Sequence, residues 1–366
     1  MIEYKERLQL ELINFKTGKL DIKSLSLTEL KAQMEQIGEK SFRAKQLYEW
    51  MHQKMARDYA EMTNIPKTLK EKLEEHYSYT SLKEVCVQTS KIDGTKKFLF
   101  ALSDGNLVES VWMKYHHGNS VCISSQVGCR MGCRFCASTI DGLERGLLPS
   151  EMLDQIYAIA RSTSERVSNV VVMGTGEPLD NYENLIRFIY LLNSEEGLHI
   201  SQRNITVSTC GLVEEMKRLA DEKLQITLAL SLHGATQEKR CRLMPIANQY
   251  PLESVMQTCQ YYFVQTGRRV TFEYSLVGGV NDTEEDARNL CRLISRYSTD
   301  YAQPFHVNLI PVNPIKERNF VESDKREILN FKNKLEKKHI NVTIRREMGR
   351  DIDGACGQLR RHILYE

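Results

Sequence analysis

Beyond Ser120 the chain alternates six times between a short β-rich run and a helical stretch, a rhythm that restricts it to a parallel sheet with crossover helices. Strands are expected near Val121 to Ser124, Asn169 to Met173, Asn204 to Ser208, Gln225 to Ser231, Val270 to Leu276 and His306 to Ile310. Pro149-Ser150-Glu151 starts one of the intervening helices and Asp282-Thr283-Glu284 another. Such a series either winds doubly or curls into a barrel. In both cases the ligand lies at the carboxyl ends of the strands. A last strand near Asn341 to Arg345 leads into an irregular tail, Gly349 to Gln358.

Directly after the first of these strands stands Cys129-Arg130-Met131-Gly132-Cys133-Arg134-Phe135-Cys136. Three cysteines spaced CxxxCxxC, with Gly128 and Gly132 among them, curl one loop so that the sulfurs point inward. Thiolates select zinc and iron–sulfur clusters. Structural zinc wants four ligands, and no second CxxC pair or HxxxH partner follows. A [4Fe–4S] cluster held by three cysteines instead keeps one iron open to substrate.

Upstream, Ser26-Leu27-Thr28-Glu29 reads as a capping box, with Leu27, Leu30, Met34 and Ile37 at helical spacing until Gly38. Ser41 is expected to cap a second helix carrying Ala44, Leu47, Tyr48 and Met51, and Pro66 to start a third with Leu69 and Leu73. Their basic residues (Arg43, Lys45, Lys67, Lys70, Lys72) face either a polyanion or plain solvent. From about Leu82 the period becomes two, and Asp93-Gly94 and Asp104-Gly105 punctuate a β-meander.

Val170-Val171-Val172-Met173-Gly174-Thr175-Gly176-Glu177-Pro178 is a buried strand running into a glycine turn, open enough for a ligand's amino group beside Glu177. Ser208, Ser231-Leu232-His233 and Asn313 fall at the same end of the expected sheet. Cys356 stands among small residues that leave its sulfur approachable, and Cys122 lies on the first strand, while Cys86, Cys210, Cys241, Cys259 and Cys291 read as ordinary buried thiols. Ten cysteines without a signal peptide point to a reducing, cytoplasmic setting rather than a disulfide framework. No apolar run reaches the length of a membrane span, and a net charge of +2 excludes a polybasic tail.

Together, Cys122-Ile123-Ser124-Ser125-Gln126-Val127-Gly128-Cys129, Met173 to Pro178, Ser231-Leu232-His233, Leu243-Met244-Pro245-Ile246 and Asp351 to Gln358 resemble the RNA adenine C2-methyltransferases of the radical S-adenosylmethionine (SAM) superfamily. The likeness runs from Lys23-Ser24-Leu25-Ser26-Leu27 to the tail. It implies an α/β fold: a partial (β/α)6 barrel of the radical SAM type over 120–348, an N-terminal helical accessory domain over 1–80, a β-meander linker over 81–119 and a C-terminal tail over 349–366.

By the same resemblance Cys129, Cys133 and Cys136 hold a [4Fe–4S] cluster, and Gly176, Glu177, Ser208, Ser231, Leu232, His233 and Asn313 contact SAM, of which two molecules are used per turnover. Cys356 is the methyl carrier, Cys122 its disulfide partner and Glu109 the general base, placed by its distance before the cluster motif. Implied partners are 23S rRNA, tRNA and an electron donor such as flavodoxin or ferredoxin; a monomer suffices, with no membrane contact. Arg130, Arg134, Arg345, Arg346, Arg350, Lys96 and Lys97 are candidate RNA contacts. Two rivals remain: a methyltransferase acting on carbon 8 of the same adenosine, and a metal-stabilised RNA-binding protein without catalysis. The second has no use for Cys356.

Overall fold

The computed structural model describes residues 12–116, 118–298, 304–312, 320–352 and 357–365. Helices α1 (Leu27–Gln36), α2 (Phe42–His52) and α3 (Lys67–His76) form the small N-terminal unit, tied at its base by the parallel pair β1 (Leu20–Asp21) and β2 (Tyr77–Ser78). α1 begins with the expected box: the Ser26 hydroxyl accepts from the Glu29 amide, and the Glu29 carboxylate accepts from the Ser26 amide at 2.8 Å. Ser41 does not cap α2. Its own backbone is already helical, because the turn begins one residue earlier with the Arg43 amide on the Lys40 carbonyl.

The meander strands β3 (Lys83–Thr89), β4 (Lys96–Ala101) and β5 (Leu107–Met113) pair antiparallel, and β5 pairs antiparallel with β6 (Asn119–Cys122). After β6 the chain makes a separate small hairpin, β7 (Gln126–Gly128) with β8 (Leu143–Gly146), and then α4 (Pro149–Thr163). From there β9 (Val167–Val172), β10 (Ile205–Thr209), β11 (Thr227–Ser231), β12 (Val270–Leu276), β13 (Phe305–Pro311) and β14 (Val342–Ile344) follow one another in space as in sequence, all parallel. β9 returns to pair with β6, so one ten-stranded sheet runs from β14 to β3. The meander is thus continuous with the main sheet.

Between the parallel strands lie α5 (Tyr182–Asn193), α6 (Val213–Asp221), α7 (Gln237–Leu243), α8 (Leu252–Thr266) and α9 (Glu284–Tyr297); α10 (Lys325–Glu336) precedes β14, and α11 (Gln358–Tyr365) closes the chain. The apolar runs read from the sequence become the core: Val170, Val172, Ile205, Val207, Leu228, Leu230, Phe272, Val307 and Leu309 are fully buried.

Polar contacts fasten the N-terminal unit to this core. Lys23, fully buried, donates to Asp154 of α4 at 2.7 Å and to the Thr80 carbonyl at 2.8 Å. The other Asp154 oxygen accepts the Leu82 amide at 2.7 Å. Ser24 accepts the Ser150 amide, Arg187 pairs with Glu29 at 2.6 Å, and His52 shares a hydrogen bond of 2.8 Å with Tyr157. A buried ion pair adds little net stability but strongly penalises any other docking.

Candidate active site

The cysteine loop leaves the sheet through the β7–β8 hairpin, whose closure needs a glycine. Gly128 has φ of 75°, and a Cβ there would stand 2.0 Å from the Gly142 carbonyl. That carbonyl accepts the Cys129 amide at 2.8 Å, so the loop is tied where its first thiol emerges. Thr139 donates to both the Cys133 and the Cys136 carbonyl at 3.0 Å. Farther out, the Arg134 amide donates to Leu243 at 2.9 Å, docking the loop on the end of α7.

The thiols sense one another. Burial pushes Cys129 up to about 12, with the Cys136 thiolate adding to the rise, and burial likewise raises Cys133, with both of the others adding to it. Ligation therefore has to displace protons, as iron does. Among the described residues no three Cys, His, Asp or Glu side chains converge on the point a single ion would occupy. A cube does not ask for that, because each sulfur binds a different iron. The mutual field of three thiolates on one glycine-hinged loop fits a [4Fe–4S] cluster.

The strand ends above β9, β10 and β11 make the adjoining cradle. Gly176 has φ of 113°, and a Cβ on it would lie 2.7 Å from the Gln126 side chain. Glu177 is buried: one oxygen accepts Leu179 at 3.1 Å and the other the Cys210 amide at 2.7 Å, which pins the β9 turn to β10. Burial holds its carboxyl above the usual range. Ser208 donates to the Val172 carbonyl at 3.1 Å. Leu232 and His233 are buried beyond β11, with the Leu232 amide on the Glu273 carbonyl at 3.0 Å.

His233 takes a left-handed φ of 50°. Its Nδ1 accepts the Ser275 amide at 2.9 Å, so the neutral ring carries its proton on Nε2. Burial, aided by the Arg240 charge, lowers its pKa to about 3. The ring meets Phe135 edge-on at 4.7 Å, joining the cradle to the cysteine loop. Asn313 lies outside the described residues.

On the other side of β6 the tail is moored to the meander at two places. The Gly349 amide donates to Asp93 at 2.9 Å, while Asp351 accepts from the Ser90 hydroxyl at 2.5 Å and the Lys91 amide at 2.8 Å. Farther on, Glu109 accepts the Gly357 amide on one oxygen and the Arg360 amide on the other, both at 2.6 Å. Arg361 adds a bond to Asp141. A side chain on Gly357 would come within 3.1 Å of the Ser138 amide, two residues beyond Cys136.

Cys122 is buried opposite Val111 in the β5–β6 register and lies in the fields of Lys97, Glu109 and Arg345. Burial raises its thiol. Cys356 lies outside the described residues. No disulfide joins the described cysteines.

Two readings of single residues need correction. Lys97 is not an RNA contact: it is fully buried and pairs with Glu109 at 3.0 Å. Cys86 and Cys241 are partly exposed, not core. Of the other basic candidates, Arg130, Arg134, Arg345, Arg346 and Arg350 are exposed, although Arg130 pairs with Asp180. Sequence reasoning passed over Glu273, which accepts from Asn308 at 2.9 Å beneath His233, and Arg240. An acidic residue inside the apolar run of β12 was the available signal.

Residues 20–78 match the family described as ribosomal RNA large subunit methyltransferase N-terminal domain, and 123–294 match the radical SAM superfamily. A probable dual-specificity RNA methyltransferase RlmN from Lachnospira eligens is 64% identical over 94% of this chain and 97% of its own. The chain belongs to the RlmN family of radical SAM RNA methyltransferases. Another relative of the same description, from Geobacillus kaustophilus, is 52% identical over 93% of this chain and 92% of its own. A crystal structure of a radical SAM methyltransferase from Sphaerobacter thermophilus superposes with a TM-score of 0.87 at 40% identity, covering 92% of this chain and 98% of that one. As an RlmN-family enzyme the protein uses a [4Fe–4S] cluster and SAM, two molecules per cycle. The tail beyond both matched segments is the one moored to Glu109 and, through Arg361, to Asp141.

Proposed function

We propose that this protein methylates carbon 2 of an adenosine in 23S rRNA, and of an adenosine beside the tRNA anticodon, by way of S-methylated Cys356. The observation that supports this most is the double seating of Gly357, the residue after Cys356, on Glu109 and against the turn that follows Cys136. Cys122 shares the field of that same glutamate. The names of the relatives, probable dual-specificity RNA methyltransferases, point the same way.

Cys129, Cys133 and Cys136 would hold the cluster, with SAM against Gly176, Glu177, Ser208, Ser231, Leu232, His233 and Asn313. Bound there, cluster and SAM supply the methyl group and the one-electron chemistry that an electron-poor ring carbon requires. The chain's own groups do the rest. Cys356 carries the methyl as a thioether to the ring, where its carbon would bond to carbon 2 as one hydrogen atom leaves the methyl and one electron leaves the adduct, both taken up by the one-electron chemistry that the bound groups would supply. Glu109 accepts the carbon 2 proton once the Gly357 or Arg360 amide releases one of its oxygens, with Lys97 as its counter-charge. Cys122 then bonds to the Cys356 sulfur as the sulfur–carbon bond breaks; the methyl carbon takes up a proton, and an external reductant must reopen the resulting disulfide. The adenosine must leave its stack to enter, at a few kcal/mol. A flavodoxin- or ferredoxin-type protein would deliver electrons to a monomeric enzyme in the cytoplasm.

The test is nucleoside mass spectrometry on unmodified 23S rRNA and tRNA after anaerobic incubation with reconstituted enzyme, SAM and a strong reductant. We expect 2-methyladenosine from both RNAs, abolished in Cys356→Ala, and a trapped covalent RNA–protein adduct in Cys122→Ala. Appearance of 8-methyladenosine would overturn the assignment in favour of the carbon 8 reaction.

A further inference from the structure

Arg240 of α7 is fully buried, and its position explains little by itself. Nη2 donates to the Cys210 carbonyl beyond β10 at 2.6 Å and stands 3.5 Å from the Ser231 carbonyl at the end of β11. Nε and Nη1 donate to no acceptor among the described residues. Among those residues no carboxylate forms an ion pair with it either. A guanidinium stays charged at any accessible pH. Left without a counter-charge in the interior, it is destabilising by itself.

Three residues after Arg240, the Leu243 carbonyl accepts the Arg134 amide, so the segment bearing this cation is bonded to the cysteine loop. Three thiolates outweigh the charge of an oxidised [4Fe–4S] core by one negative charge, and reduction adds another. The missing anion and the surplus cation belong to segments that are bonded to each other.

We infer that Arg240 is the buried counter-charge of the cluster: a positioning residue behind the Cys133 side of the loop that raises the cluster's reduction potential and favours its assembly. The inference rests on the reading that Cys129, Cys133 and Cys136 hold the cluster.

Two variants of the full chain separate charge from hydrogen bonding. Arg240→Gln keeps a donor for the Cys210 carbonyl and loses the charge, whereas Arg240→Lys keeps the charge. Redox titration of the anaerobically reconstituted cluster, followed by electron paramagnetic resonance, should show the reduced-to-oxidised ratio of Arg240→Gln at least tenfold lower at the wild-type midpoint, about 60 mV for one electron. Arg240→Lys should remain within about threefold of wild type, roughly 30 mV by the same conversion. Thermal unfolding with and without iron supplies the second readout. Without iron Arg240→Gln should be as stable as wild type or more so, and its deficit should appear only in the loaded protein.

Unchanged potentials, an equal loss of stability with and without iron, or an Arg240→Gln chain that fails to fold without iron would each overturn the inference and leave Arg240 a strap between strand ends. Failure of the underlying reading looks different: a chain with Cys129, Cys133 and Cys136 all replaced by alanine, Arg240 left in place, would then bind as much iron as the wild type.

Discussion

His52 sits where the helical unit meets α4, with Nδ1 on the Tyr157 hydroxyl and Nε2 without a partner among the described residues. Burial, aided by the Lys23 charge, lowers its pKa to about 3. Unfolded, the ring would protonate near 6.5. Between those values the unfolded chain binds a proton that the native one refuses, so stability falls as pH drops below 6.5. Urea unfolding should lose about 2 kcal/mol between pH 7.5 and pH 5 on account of this group. His52→Gln should flatten that part of the profile, and an unaltered profile would mean the ring is accommodated charged. Lys23 is the complementary case. Lys23→Met leaves buried Asp154 with only the more distant Arg161, at 3.8 Å, as counter-charge and should cost about 3 kcal/mol, most of it regained in Lys23→Met with Asp154→Leu. A single variant as stable as wild type would show the pair to be dispensable.

Elements differ in how plainly their residues announce them. The parallel strands were legible because each carries apolar residues that the fold buries, such as Val170 and Val172 in β9 and Leu228 and Leu230 in β11, and the cysteine motif because its three thiols fall within eight residues. β7 and β8 were not: three and four residues long, they carry no alternation and meet only across the whole cysteine loop. Lys97 lies in an apolar strand, and only the fold brings Glu109, two positions along the facing strand from its register partner, within reach of it; Arg240 was hidden likewise, its acceptors coming from two separate segments. Two outcomes follow at this level. Gly128→Ala drives a Cβ into the Gly142 carbonyl, so iron bound per chain should fall to less than half; full iron loading would mean the hairpin can shift. Glu109→Ala removes the carboxylate that caps α11, and amide exchange over 357–365 should quicken at least tenfold, as expected for a lost cap of about 1–2 kcal/mol, while β12 stays protected. Unchanged exchange there would mean that Arg361 and packing hold the helix.

Over the whole molecule, the exposed arginines proposed to meet RNA come from the cysteine loop and from the segment after β14, and part of the accessory unit's basic surface is already engaged, as in Lys72 with Glu39 at 2.7 Å. Binding through such groups releases counterions, so affinity for a 23S rRNA fragment should drop at least tenfold between 50 and 200 mM salt in a fluorescence titration. Affinity that ignored salt would remove the phosphate contacts from the reading. The two moorings of the tail set a geometric limit of another kind. Asp351 and Gly357 are both tied to the meander, and the chain joining them cannot stretch beyond roughly 3.5 Å per residue. A methyl group carried on Cys356, as proposed, would therefore be leashed cargo: it would not diffuse away from its source, and its delivery would be set by tether length rather than by enzyme concentration.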